Sequence, residues 1–115
     1  MVAGVVTPVL CGAALWWARR RLLLVDVVGM SMEPALRDGD VVLAVRRGRL
    51  AAGRIVVAAR HYEGGVGWDI KRVESVRCGG LFLVGDNLNA SKDSRDVGLY
   101  DSDRVLGVVI VRVRR

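Results

Sequence analysis

The sequence predicts a mainly β protein: a small barrel-like or folded antiparallel sheet preceded by one N-terminal transmembrane helix. Three observations carry this. From Leu22 onward, apolar residues come in short Val- and Leu-rich runs separated by glycine-bearing turns, which is the pattern of strands joined by hairpins. Long Glu/Lys-rich stretches of helical type are absent. Val2 to Ala18 forms a single stretch without a charge. A chain of 115 residues holds one domain, here divided into a membrane anchor over 1–24 and a β domain over 25–115. So short a domain has a small core.

Charge and cysteines narrow the class. The net charge is +6, with 16 arginines and two lysines among the 18 basic residues. Residues 1–28 contribute +2 and residues 29–115 contribute +4. Such a balance suits an anionic membrane face or nucleic acid. No helix-turn-helix, zinc-finger or RNA-binding aromatic motif accompanies it, so nucleic acid is not expected as a partner. The two cysteines, Cys11 and Cys78, fall in the apolar segment and in a turn. They form neither a disulfide framework nor a metal spacing, and no metal or cofactor is expected.

The elements follow in order. Val2 to Ala18 spans only about 25 Å as a helix, against a hydrocarbon core of ~30 Å. Arg19 to Arg21 can snorkel past its end, and Leu22 to Val25 prolong the apolar character. Trp16 and Trp17 stand where an interfacial aromatic belt would be. A cleaved secretory leader fits less well, because a basic n-region is missing. Leu22 to Val28 reads as a strand leading into a turn, and Asp38-Gly39-Asp40 turns the chain again. Val41 to Val45 is a short strand, Arg46 to Gly53 a basic loop, and Ile55 to Ala59 another strand. His61 to Trp68, with Gly64, Gly65 and Gly67, reads as a hairpin-like tip. Ile70 to Val76 alternates as a strand, Cys78-Gly79-Gly80 turns, and Leu81 to Val84 returns. Gly85 to Asp103 is a polar loop of unusual length for so small a domain, and such loops are commonly functional. Arg104 to Arg114 is the final strand.

Three stretches carry candidate chemistry. In Val28-Gly29-Met30-Ser31-Met32-Glu33-Pro34-Ala35-Leu36, a strand ends in a glycine, a serine and a proline. Gly29 permits close backbone approach or positive φ. Pro34 fixes its own φ and pushes Glu33 toward extended backbone. Ser31 is either a presented nucleophile or the cap of one helical turn. A serine hydroxyl needs a base beside it. The one histidine, His61, has no motif around it and reads as a surface residue. Lys71, in Asp69-Ile70-Lys71-Arg72-Val73, can act as base only if burial disfavours its charged form. Consecutive strand residues face opposite ways, so Lys71 can point inward while Arg72 is solvated. Arginine cannot replace it, because it does not deprotonate in proteins. The third stretch is Gly85-Asp86-Asn87-Leu88-Asn89-Ala90-Ser91-Lys92-Asp93-Ser94-Arg95, where Asp86 and Asn87 also fit a simple Asx turn.

Taken in order, Gly-x-Ser-Met-x-Pro, Lys-Arg and Gly-Asp-Asn-x-x-x-Ser-x-Asp-Ser-Arg resemble the type I signal peptidases, membrane-bound serine proteases with a Ser–Lys dyad. The resemblance runs from about Val25 to Val111. It implies Ser31 as nucleophile, Lys71 as general base, and Ser91 as the hydroxyl that orients the lysine amine. It implies Asp93 and Arg95 as a structural pair near the site, and Gly85, Asp86 and Asn87 as a turn shaping the substrate side. Met32 and Pro34 match family positions beside the nucleophile. Gly29 stands where some members carry a serine that adds to the oxyanion hole, leaving the Ser31 backbone N–H as one donor and the second unassigned. The expected substrate is a preprotein lying extended against the strand before Ser31, with small residues one and three places before the cleaved bond.

The implied protein sits in the cell membrane with a single pass and its β domain outside the cytoplasm. The positive-inside rule, applied to Arg19 to Arg21, points the other way. The sequence also departs from the family pattern. Ala35 replaces the usual Thr or Ser after the proline, Arg54 stands where an acid is usual, and the second β domain of large members is missing. A dedicated maturation protease for one exported peptide is therefore also open. So is a non-catalytic, membrane-tethered β module binding peptides or anionic lipid. A repressor-type self-cleaving Ser–Lys protein would add a DNA-binding module and a cleavable linker, neither of which is seen.

Overall fold

The computed structural model describes the backbone of residues 2–62 and 65–114, and the side chains of 12–59 and 67–113. Helix α1 (Val2–Arg21) runs directly into strand β1 (Leu22–Asp26). There follow β2 (Val41–Val45), β3 (Ile55–Tyr62), β4 (Gly65–Arg77) and β5 (Gly80–Val84). A short helix α2 (Ser94–Val97) precedes β6 (Val105–Arg114).

The strands make one six-stranded sheet in the order β1-β2-β6-β3-β4-β5. Every pairing is antiparallel. The sheet is open, with β1 and β5 at its edges, rather than a closed barrel. Consecutive residues of β3 enter different apolar clusters. Val57 joins Val25, Val27, Met32, Leu36, Val42 and Ile70, whereas Val56 and Ala58 join Val73, Leu81, Leu83, Tyr100 and Val108. Alternation along the strand thus covers both faces of the central sheet, which explains the continuous apolar run Ile55 to Ala59.

Three expectations need adjusting. The hairpin expected over His61 to Trp68 is there, but its strands reach further than expected, with β3 and β4 paired as far as Tyr62 and Gly65. The loop Gly85 to Asp103 is ordered by α2 and by 3-10 turns at Leu88–Ala90 and Ser102–Arg104. The N-terminal helix forms, but among the described residues no helix is long and apolar enough to cross a membrane. Arg19, Arg20 and Arg21 occupy its last turn, so its uncharged part is shorter than a bilayer core.

Candidate active site

Ser31 lies half-buried on the turn after β1, and the neighbouring Met32 is 1% exposed in the core. Gly29 takes φ +90, with room for no strain only as glycine. Its N–H donates to Asp38 Oδ1 at 2.7 Å, which closes the turn from the far side. Leu36 N–H donates to the Met32 carbonyl at 2.9 Å, making a single helical turn. The Glu33–Pro34 peptide is cis, and Pro34 is exposed.

Lys71 sits in mid-β4 opposite Val56, on the sheet face that also carries Val73. Its side chain is 3% exposed, and its Nζ donates to Ser91 Oγ at 2.9 Å. Arg72 faces the other way. Its guanidinium grips Asp86 through two bonds of 2.8 Å and donates to the Gly53 carbonyl at 2.8 Å. The simple Asx turn considered for Asp86 and Asn87 is therefore not their main role: Asp86 holds the lysine strand, and Asn87 holds the serine turn.

The Gly85–Asn87 turn joins the two halves of the constellation. Asn87 N–H donates to the Ser31 carbonyl at 2.8 Å, and its Nδ2 donates to the Met30 carbonyl at 3.0 Å. A Cβ placed on Gly85 would fall 2.6 Å from the Ser31 carbonyl oxygen and closer still to the Ser91 hydroxyl. Only glycine lets the serine turn and Ser91 meet over this strand end. Ser31 is thereby stacked beside the residue that holds the lysine amine.

Asp93 anchors this junction from below. Its side chain has no exposure. It accepts from Ser91 Oγ at 2.6 Å, from Gly85 N–H at 2.8 Å and from Arg95 Nε at 2.9 Å. It also caps α2, accepting from Arg95 N–H at 3.1 Å, while Asp96 returns a bond to the Asp93 N–H at 3.1 Å, a capping box. Burial by itself would raise the Asp93 carboxyl. Hydrogen bonds from Arg95, Ser91 and the two backbone N–H groups outweigh it and hold the carboxyl well below the usual range. The pair joins a buried Asp93 to an Arg95 that is itself exposed, so it ties the buried network to the surface.

Sequence reasoning missed two supports. Ser94 is 3% exposed and accepts from the Leu83 N–H at 2.8 Å, so it docks the loop on β5. Asp38 and Asp40 were read only as turn residues. Asp38 fixes Gly29, and Asp40, 2% exposed, accepts from the Arg37 N–H at 2.9 Å. Two acids flanking a glycine just before an apolar strand were the available signal. His61 in β3 and Cys11 in α1 have side chains outside the described residues, and Cys78 is exposed. Among the described residues no group of His, Cys, Asp and Glu could hold a metal.

The class of this protein comes from its comparison with known families, which supports a serine peptidase and not the type I signal peptidases in particular. Over residues 12–110 the chain matches the Peptidase S24-like family, serine-type peptidases related to the superfamily that includes the signal peptidases. The chain belongs to that family, and its function is of serine-peptidase type. No curated protein gives a significant match.

Proposed function

We propose that this protein is a Ser–Lys endopeptidase that removes N-terminal leader segments from exported polypeptides at the membrane surface. In this reading α1 is the membrane anchor and the β domain lies on the extracytoplasmic side. The observation that carries it is the crossing at Gly85, which packs the Ser31 backbone against the Ser91 side chain that holds the buried Lys71 amine.

Each residue then has a task. Burial of Lys71 works against its ammonium form. Asp93 is ionised and cannot donate, so the Ser91 hydroxyl donates to it and turns a lone pair toward Lys71. One N–H of the amine is thus directed at Ser91. Arg95 pairs with Asp93 and holds it in place. As Ser31 Oγ attacks the scissile carbonyl carbon, its proton passes to Lys71 Nζ. The Ser31 N–H stabilises the oxyanion. Lys71 then gives the proton to the leaving amine, and an ester on Ser31 remains. Water attacks the ester, its proton passes to Lys71, and Ser31 regains a proton as the new acid leaves.

Substrate has a place to lie. β1 is an edge strand leading straight to the serine turn, so an extended peptide can add to its open side by main-chain hydrogen bonds. Leu24, Val28 and Met30 are exposed along this path at 66%, 83% and 56%.

The test is hydrolysis of a leader peptide with alanine one and three residues before the bond. Ser31→Ala and Lys71→Arg should each lower kcat/KM by on the order of 10⁴ or more, with the circular-dichroism spectrum retained. Full activity in either variant rejects the dyad.

A further inference from the structure

At the junction of α1 with the β2–β3 loop, a cleft of about 640 Å³ is lined by Arg20, Arg21, Arg46 and Arg47, with Ser102 and Asp103 across from them. Four guanidiniums face a single carboxylate there. The chain is built to bring them together. Arg46 N–H donates to the Arg21 carbonyl at 2.7 Å. Arg47 takes a left-handed φ of 58, a conformation that arginine seldom adopts. A Cβ on the next residue, Gly48, would strike the Val108 side chain at 2.8 Å. The loop is therefore bent hard against β6, which turns Arg46 and Arg47 toward the helix end. On the helix, the Arg20 guanidinium lies 4.9 Å from the Trp16 ring centroid and that of Arg21 6.0 Å from Trp17. Arg21 Nε is buried without a hydrogen-bond partner, a costly state for a charged donor unless an acceptor arrives.

We infer that this cleft is a binding site for the phosphate headgroup of an anionic phospholipid in a bilayer. Guanidiniums match phosphate geometry and stay charged at every physiological pH. The neighbourhood favours a lipid over a nucleic acid. Leu15, Trp16 and Trp17 are exposed on α1 at 58%, 61% and 51%. A second, mostly apolar recess is lined by Arg19 with Leu22, Leu23, Leu24, Leu43 and Val113. Apolar surface beside a ring of arginines and tryptophans fits the headgroup level of a membrane. The site lies apart from Ser31 and Lys71, and it does not depend on the protease reading.

The experiment is flotation of the full chain with phosphatidylcholine vesicles, with and without phosphatidylglycerol. The site predicts preference for the anionic vesicles. Arg46→Ala with Arg47→Ala should weaken partition into them roughly thirtyfold, at about fivefold for each basic residue at an anionic surface. Partition into neutral vesicles should stay unchanged. Arg46→Lys with Arg47→Lys should retain most of the binding. Arg54→Ala with Arg77→Ala, which removes the same charge elsewhere, should change it less than about threefold, since net charge alone acts weakly over a Debye length. Equal losses in the two alanine pairs would overturn the site. So would equal partition into both vesicle types by the unaltered chain, or release by millimolar inorganic phosphate, which would mark a free-phosphate site. Tighter binding to duplex DNA or RNA than to anionic vesicles, lost in the Arg46/Arg47 pair, would also overturn it.

Discussion

The molecule keeps two groups of cations under opposite conditions. In the arginine cleft four guanidiniums crowd together in an open recess. On β4 one amine is 3% exposed and bonds to Ser91, whose hydroxyl donates to the Arg95-paired Asp93. The first arrangement keeps charge available to solvent and to a charged surface. The second encloses a single amine against the Ser91 hydroxyl. Residue choice follows the same division. The chain has 16 arginines and only two lysines, and one of the two, Lys71, is the enclosed cation. The adjacent Lys71 and Arg72 show the contrast within one strand, since Arg72 is half-exposed and locked to Asp86 while Lys71 is enclosed.

Changes at the enclosed region test that division, beginning with the largest after loss of the dyad itself. Gly85→Ala forces a Cβ between the Ser31 carbonyl and Ser91. Overpacking of this kind costs about 1–3 kcal/mol, and displacing the nucleophile should lower kcat/KM on the order of 10²-fold. Denaturant titration and peptide hydrolysis read the two effects separately. Wild-type activity in this variant would show that the crossing does not position the serine.

Ser91→Ala removes the acceptor of the Lys71 amine. A smaller loss is expected, roughly tenfold in kcat, with KM little changed. Ser91→Thr keeps the hydroxyl and should recover most of it. If Ser91→Ala and Ser91→Thr behave alike, the hydroxyl does not direct the amine.

The smallest effect is a change in pH dependence. The folded-state Asp93 carboxyl is held below its usual range. Its stabilisation is therefore complete above the unfolded value of ~3.9 and is lost as pH falls through the folded value. Asp93→Asn should be less stable than the natural chain at neutral pH, and the gap should close on acidification below about pH 4. Unfolding free energies measured across that range decide it, and a gap that stays constant would mean that the Asp93 charge contributes nothing.

Much of this was legible in the sequence, and the limits have physical causes. Val41 to Val45 and Leu81 to Val84 are read correctly because turns bound them and short strands need no more information than their ends. The reach of β3 and β4 was underestimated, because glycines at 65 and 67 look like a loop while the paired backbone tolerates them near a hairpin end. The openness of the sheet could not be read, since which strand lies beside β6 depends on long-range pairing. At the site, the motif gave Lys71, Ser91, Asp93 and Arg95 as one group, and they form one hydrogen-bonded chain. The partnership of Arg72 with Asp86 was invisible, because fourteen residues and a strand reversal separate them. The arginine cleft was hidden likewise: its members look like two unrelated basic runs until the bent loop brings them together.

The central claim is the proposed role of Lys71 as the base that takes the Ser31 proton. Because the chain has only two lysines, Lys71 and Lys92, labelling lysine with ¹³C and ¹⁵N gives two side-chain signals, and Lys71→Arg assigns them. The account predicts that burial makes the Lys71 amine lose its proton below the ordinary lysine value of ~10.4. A Lys71 signal that stays protonated up to that ordinary value would contradict it.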